Sequence, residues 1–216
     1  MLKVNAQLAE RYTTFQDGLE GAEGKLLRAT FELVAEKGVG ATSTRAITDR
    51  AGLSRGLLHY HFQTKQKLLT RLLEILFENY THNMEMVAAS DLAPDEKLKE
   101  VLDLGSGWVA GSRQQEFVVT MAFWGEAMAQ GGRMLDLYRG LFRRYREVLV
   151  GILGGAEEVG LIARGSSREV ASLIVAVVQG LGLQYNLAPT EFSGRTWDRI
   201  DRMLHATASA SWSGGE

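Results

Sequence analysis

Apolar residues recur every three or four positions along most of this 216-residue chain, and strict apolar–polar alternation is hard to find, so the pattern predicts helices throughout. From Gly24 to Lys37 the apolar positions are Leu26, Leu27, Ala29, Phe31, Val34 and Ala35, and Gly38 follows as a helix terminator. Two very short segments come next, Thr44 to Ala51 and Ser54 to Tyr60, split by Gly52 and Leu53. Helices of that length are unstable alone in water, so Ile47, Ala51, Leu53, Leu57, Leu58 and Phe62 are expected to pack them onto neighbours. Ser54 is placed to accept a hydrogen bond at the amino end of the second. A longer helix is predicted from Lys65 to about Ala88, and another from Pro94 to about Gly111, weakened by Gly105 and Gly107 by roughly 1 kcal/mol each relative to alanine. Gln114–Gln130, Met134 to about Glu158, and Ser166–Leu187 follow, the last with Ser166 and Glu169 in the capping-box relation. A final helix is predicted from about Arg195 to Ala208, before a Ser/Gly tail.

Composition removes several function classes. The chain has no cysteine, which excludes disulfides, thiolate metal sites and cysteine nucleophiles. Its amino terminus has no apolar run of signal-peptide length, so a cytoplasmic location is expected. The most apolar stretch, Val170 to Leu183, is interrupted by Ser172 and Gln179 and is shorter than the roughly 20 residues of a membrane-spanning helix, so a buried helix and no membrane contact are expected. Charge is uneven: between Ala41 and Arg71 six cations (Arg45, Arg50, Arg55, Lys65, Lys67, Arg71) face the single acid Asp49, a local +5 on a chain of net charge −2. Such a segment suits a polyanion-binding patch, although a solvated charged face has the same composition.

The segment AGLSRGLLHYHFQTKQKLL, Ala51 to Leu69, carries the turn Ala51-Gly52, then Ser54, Gly56, Leu58, the cluster Tyr60-His61-Phe62, Lys65 and Leu68. With Phe31, Gly38, Thr42, Thr44, Arg45 and Ile47 upstream, it resembles the DNA-binding domain of the TetR family of bacterial regulators over about residues 24–70. It departs from the usual pattern at His59, Thr48 and Leu57, which leaves the operator sequence open. The resemblance implies an all-α fold in which an N-terminal three-helix helix-turn-helix domain is joined by a linking helix to a C-terminal helical domain for ligand binding and dimerisation. The expected division is an N-terminal extension (1–20), the DNA-binding domain (21–66), the larger domain (67–210) and a disordered tail (211–216). Residues 1–20 either extend the first helix or reach along DNA.

A short helix beginning at Ser54 fits the major groove, with Arg55, Gly56, His59 and Tyr60 outward and Leu58 and Phe62 inward. Arg45 and Arg55 suit guanine edges, because a guanidinium donates two parallel hydrogen bonds, and Gly56 lets backbone approach backbone. Thr44, Tyr60, His61 and Lys65 suit phosphates, Lys65 from a helix amino terminus. The plain alternative is that Tyr60 and His61 only pack and Lys65 is a solvated helix start. His59 and His61 point about 200° apart on a helix and cannot share an ion, so no metal is expected; no cofactor and no catalytic residue are identified either.

Beyond residue 90 the resemblance is confined to helix count and order. Trp108, Phe117, Met121, Trp124, Met128 and Tyr138 are large side chains able to line an apolar effector cavity, with Arg113, Glu126, Gln179 or Asn186 to orient the ligand; an ordinary packed core is the alternative. Val170 to Leu183 is apolar around most of its circumference, so Val170, Ile174, Val177, Val178 and Leu181, with Trp197, Ile200, Met203 and Leu204, are expected to form a homodimer interface. In the family the last two helices pair with their copies as a four-helix bundle. The expected partners are double-stranded operator DNA, a small-molecule effector and a second copy of the chain. Two rivals remain: a helical enzyme acting on an apolar substrate, for which Glu157 and Glu158 are the available acid pair, and a ligand-free architectural DNA-binding protein.

Overall fold

The computed structural model describes residues 12–111 and 113–192, together with Arg199 and Arg202. Among these residues the regular structure is eight α-helices and one short 3-10 turn. In chain order they are α1 (Gly21–Ala41), α2 (Thr44–Ala51), α3 (Arg55–Phe62), α4 (Lys65–Ala89), α5 (Pro94–Ala110), α6 (Gln114–Gln130), α7 (Gly132–Glu158) and α8 (Ser167–Leu187), then the turn Pro189–Glu191. Of the predicted last helix only Arg199 and Arg202 are described, both helical; its other residues, the tail and residues 1–11 lie outside the described residues. The chain divides into two compact units. Of the described residues, a head unit is built from Thr13–Tyr80 and Gln115–Arg143, and a C-terminal unit from Tyr12, Thr81–Gln114 and those from Arg144 onward, so that α4 and α7 contribute to both.

The head unit forms around α1. Leu26, Leu27, Phe31 and Val34 are each 2% exposed or less and meet Ile47 of α2, Leu58 and Phe62 of α3, and Leu68, Leu72 and Leu73 of α4. Gly38 breaks α1 with φ 80°, a conformation only glycine adopts freely, and one more turn carries buried Val39 before Thr42. The Thr42 hydroxyl donates to the Gly38 carbonyl at 2.8 Å. The segment before α1 is part of this core: Phe15 is 1% exposed, stacks on Phe31 at 4.3 Å, and donates its N–H to the buried Glu116 carboxylate at 2.8 Å. Asn79 donates to the Thr14 carbonyl, and Asp17 closes the turn on the Thr14 N–H and hydroxyl. Residues 13–17 thus neither lengthen α1 nor reach away from it. Leu57 also differs from expectation: it is 38% exposed, because the helix phase set by Leu58 and Phe62 turns it outward.

In the C-terminal unit α5 packs against α8; α5 buries Val101, Leu102, Leu104 and Val109, and α8 buries Ala171, Ile174, Val175, Val178 and Gly182. The contact is close at Gly105, where a Cβ would stand 2.9 Å from Val178 Cγ2. The start of α8 is capped differently from the sequence pattern. Ser166 makes no side-chain cap and instead donates its hydroxyl to the Ala163 carbonyl at 2.6 Å. The Glu157 carboxylate, at the end of α7, takes its place, accepting from the Ser167 N–H and hydroxyl and from the Gly165 N–H. These bonds, the Ser167 hydroxyl first, hold Glu157 below the usual carboxylate range. At the start of α5 the Glu96 carboxylate accepts the Ala93 N–H at 3.0 Å.

The length argument against a membrane helix does not survive, since α8 runs 21 residues and is apolar enough to cross a bilayer by length and composition. The buried stripe against α5 is what assigns one side of it to a protein interior.

The two neighbouring glycines of α5 should respond oppositely to substitution. Gly107 has open space where a Cβ would sit, so Gly107→Ala should stabilise by up to about 1 kcal/mol through helix propensity. Gly105→Ala gains the same propensity but drives a methyl into stiff, β-branched Val178, and the overpacking, roughly 1–3 kcal/mol, should prevail. Thermal melts of the two variants would show Tm raised in one and lowered in the other.

Candidate nucleic-acid interface

The surface that combines exposed cations, aromatic groups and a rigid support is the outer side of α2 and α3. Each short helix is closed by its own side chains. Ser43 accepts the Ala46 N–H at 3.2 Å to start α2, which ends on Gly52 at φ 65°. Ser54 accepts the Leu57 N–H at 3.2 Å to start α3, which ends on Gln63 at φ 61°. With Leu58 and Phe62 inward, the 100° step per residue puts Gly56 and Tyr60 on the outermost ridge, Leu57 on one flank and His59 on the other. Tyr60 is 79% exposed and meets the half-buried His61 ring edge-on at 5.2 Å. Gly56 is in helical conformation, and a Cβ there would meet only Ser54 Oγ at 3.7 Å. The fold therefore gives no reason for glycine at a position where it weakens the helix by about 1 kcal/mol.

The candidate contact residues differ in exposure. Arg45 and Arg55 are exposed, Thr44 is half-buried in the first turn of α2, and Ser54 and His59 are exposed. Arg45 lies 3.6 Å from Asp49 in an exposed i,i+4 pair, the kind worth roughly 0–1 kcal/mol. His61 Nδ1 lies 3.9 Å from Glu23 of α1. Lys65 opens α4 and donates to the Val39 carbonyl at 3.4 Å. The local +5 of the sequence is not all available, however. Arg50 forks onto Glu36 with two 2.8 Å bonds and reaches Glu32 at 3.0 Å, fastening α2 to α1 and holding the Glu36 carboxyl below its usual range. Arg71 pairs with Glu74 and Glu78.

Residues 26–72 match the family model described as bacterial regulatory proteins, tetR family, and residues 94–209 match that of the BetI-type transcriptional repressor C-terminal domain. The chain belongs to the TetR family of transcriptional regulators. The HTH-type transcriptional regulator PksA of Bacillus subtilis is 26% identical over 185 residues, covering 83% of this chain and 84% of PksA. A transcriptional regulator from Saccharomonospora viridis in complex with choline aligns with TM-score 0.72 at 20% identity, over 88% of this chain and 96% of that one. The regulator FadR from Bacillus subtilis in complex with stearoyl-CoA aligns with TM-score 0.72 at 19% identity, over 86% and 97%. These two structures share the TetR-family fold with the present chain. TetR-family regulators bind operator DNA and small-molecule ligands and typically act as dimers.

The candidate effector residues are distributed between the units. Trp108, half-buried on α5, belongs to the C-terminal unit, and Phe117, Met121, Trp124, Met128 and Tyr138 to the head unit. There α6 buries Glu116, Phe117, Val119, Thr120, Phe123 and Ala127, while Trp124 and Met128 are 49% and 58% exposed. Tyr138 packs edge-on against Phe77 in the head core, and burial pushes its hydroxyl pKa up. Glu126 lines a different cleft of about 380 Å³ in the head unit, with Val39, Lys65, Leu69, Gln130 and Met134. Sequence reasoning named Arg113 but missed Asn83, Glu100 and Asp103, the other buried polar residues of the C-terminal unit, all four being at most 7% exposed. Tyr12 donates its hydroxyl to Glu100 at 3.0 Å, and burial, reinforced by that carboxylate, raises its pKa. Glu100 and Asp103 of α5 were visible in the sequence only as acids at helical spacing.

Of the candidate dimer residues, Ile174 and Val178 are 3% and 9% exposed and face their own unit, which corrects their assignment to a partner surface. Val170, Val177 and Leu181 are half-buried, and Trp197, Ile200, Met203 and Leu204 lie outside the described residues. The outward stripe of α8 is Leu173, Ala176, Val177, Gly180, Leu183 and Leu187, at three- and four-residue spacing. Glu157, the acid an enzymatic reading leaned on, has both oxygens engaged in capping α8.

Gly56→Ala isolates the role of the α3 ridge. The variant should melt at or above the wild-type temperature, since the methyl meets open space and favours the helix. It should bind DNA at least tenfold more weakly, as read by fluorescence anisotropy, because the methyl stands where a groove wall must come. Loss of stability with unchanged DNA affinity would assign Gly56 to the fold instead.

Proposed function

We propose that this TetR-family regulator is a dimeric repressor that places two copies of α3 in successive major grooves of a near-palindromic operator and is released by a small, largely apolar molecule. The observation that carries the reading is the outer ridge of α3. A stably anchored helix presents a glycine its own fold does not need and a tyrosine left 79% exposed, flanked by Arg55 and His59 and by Arg45 on α2. On this reading Arg45 and Arg55 read base edges, while Thr44, Tyr60, His61 and Lys65 set register on phosphates. The second copy is supported by the outward stripe of α8, whose large members Leu183 and Leu187 are 58% and 76% exposed, as an apolar surface of this kind calls for a partner. A cytoplasmic location follows from the DNA partner.

The effector belongs in the C-terminal unit, against the apolar side chains of α5 that include Trp108, with Asn83, Glu100, Asp103 or Arg113 to orient a polar end. Stearoyl-CoA and choline, held by two structural neighbours, are chemically unlike, so effector chemistry must be argued from this chain's own residues. α4 is one uninterrupted helix with residues in both units and is the natural carrier of the response. Its movement is limited by how much more tightly the effector binds the released state than the operator-bound one.

Selection of bound sequences from random DNA should return a palindrome with half-sites about one helical turn apart, and Arg45→Ala should weaken its binding by about 1–3 kcal/mol per half-site, roughly five- to 160-fold, with little change in Tm. A library without symmetric enrichment would overturn the operator reading. Leu183→Glu, introducing charge on the α8 stripe, should shift the mass in light scattering from dimer to monomer and weaken operator binding in parallel. A dimer insensitive to that change would place the interface elsewhere.

A further inference from the structure

Leu57 is the one aliphatic side chain on the outer side of α3, and it remains 38% exposed while its neighbour Leu58 is 5% exposed and Phe62 6%. It is not among the residues packed in the head's apolar core: its backbone N–H serves the Ser54 cap, and its side chain lies on the flank opposite His59. In a major groove an aliphatic group faces base edges made of hydrogen-bond donors and acceptors, with one apolar exception, the 5-methyl group of thymine. Any other base on that flank would lose its hydration to a side chain that returns no hydrogen bond. Gly56, adjacent to Leu57 on the ridge, removes the side chain that would otherwise keep the helix axis away from the bases. A side chain as short as leucine can then reach the groove floor.

We infer that Leu57 contacts the 5-methyl group of a thymine in each operator half-site and thereby fixes the base preference on its flank of α3. The inference rests on the DNA-recognition reading of this helix. The same methyl group is carried by 5-methylcytosine, so the chemistry recognised is a pyrimidine 5-methyl, with thymine its source in unmodified DNA.

The test uses the full-length protein and an operator recovered by selection, with symmetry-related thymines replaced pair by pair by deoxyuridine, which keeps base pairing and removes only the methyl. Wild-type protein should lose affinity at one such pair by about fourfold per half-site, the worth of burying one methyl group, and so roughly fifteenfold for both. Leu57→Ala should bind the thymine and deoxyuridine operators equally and melt like wild type, while Leu57→Met, still apolar, should retain the difference. Placing 5-methylcytosine·guanine at the sensitive position should bind more tightly than cytosine·guanine, which assigns the effect to the methyl rather than to thymine's carbonyls. Equal binding of thymine and deoxyuridine operators at every position, or a penalty that persists in Leu57→Ala, overturns the inference while leaving the operator reading intact. Failure to recover any bound sequence would instead remove the reading on which it stands.

Discussion

The anchoring of α3 by two side chains is the interaction on which the function of this regulator depends. Eight residues make too few hydrogen bonds to hold a helix in water, so α3 exists because Leu58 and Phe62 are buried among Leu26, Phe31, Ile47 and Leu68. That arrangement leaves Arg55, Gly56, Leu57, His59 and Tyr60 on the outside of a rod whose direction is fixed by the core behind it. The ends are fixed as well, by the Ser54 cap and by Gln63, whose N–H returns to the His59 carbonyl at 2.9 Å. A surface built this way presents side chains to a duplex with little ordering left to lose on binding.

Much of the head was legible from local chemistry. α2 runs from Thr44 to Ala51, as the pattern predicts, because Ser43, Gly52 and Ser54 punctuate the chain by mechanisms that act within three or four residues. The features that escaped are those made by residues distant in sequence. Phe15 enters the core through a bond to Glu116, 101 positions away, and no periodicity announces it. At α8 the local pair Ser166 and Glu169 matched the capping pattern, yet it is Glu157, from the end of α7, that accepts the Gly165 and Ser167 N–H groups at this start. The opposite orientations of adjacent Leu57 and Leu58 did carry a signal, since Leu58 and Phe62 are one turn apart and Leu57 has no such partner on α3.

Helices that are apolar on more than one side explain the remaining differences. On α6 both the stripe through Phe117, Met121, Trp124 and Met128 and the stripe through Val119, Phe123 and Ala127 have helical spacing; the structure buries the second and leaves Trp124 and Met128 out. On α8 the periodicity likewise contains two stripes, one closed onto α5 where Gly105 admits Val178, the other outward through Leu173, Leu183 and Leu187. Apolar spacing decides which side of a helix turns inward only when the opposite side is polar. Helices such as these therefore yield their existence and length to the sequence, and their facing residues only to the packed structure. The same ambiguity lets α8 satisfy a membrane criterion while one of its sides lies in a protein interior.

Charge placement bears on how the head discriminates among DNA sequences. Phosphate neutralisation by lysine and arginine raises affinity for every sequence alike, each contact steepening its salt dependence by about 0.9 in the slope of log K against log salt. In this chain Arg50 is committed to Glu32 and Glu36, and Arg71 to Glu74 and Glu78, so two of the six cations between Ala41 and Arg71 stabilise the head instead of drawing in DNA. Arg45 is held only by an exposed pair with Asp49, and exchanging that acid for a base edge forfeits at most about 1 kcal/mol. A head with its general attraction reduced and its exposed Arg45 loosely held would, on the proposed reading, favour contacts that require close approach. On the proposed reading Gly56 supplies that approach, and the geometry of α3, more than the basic composition that first singled out this segment, separates an operator from other DNA.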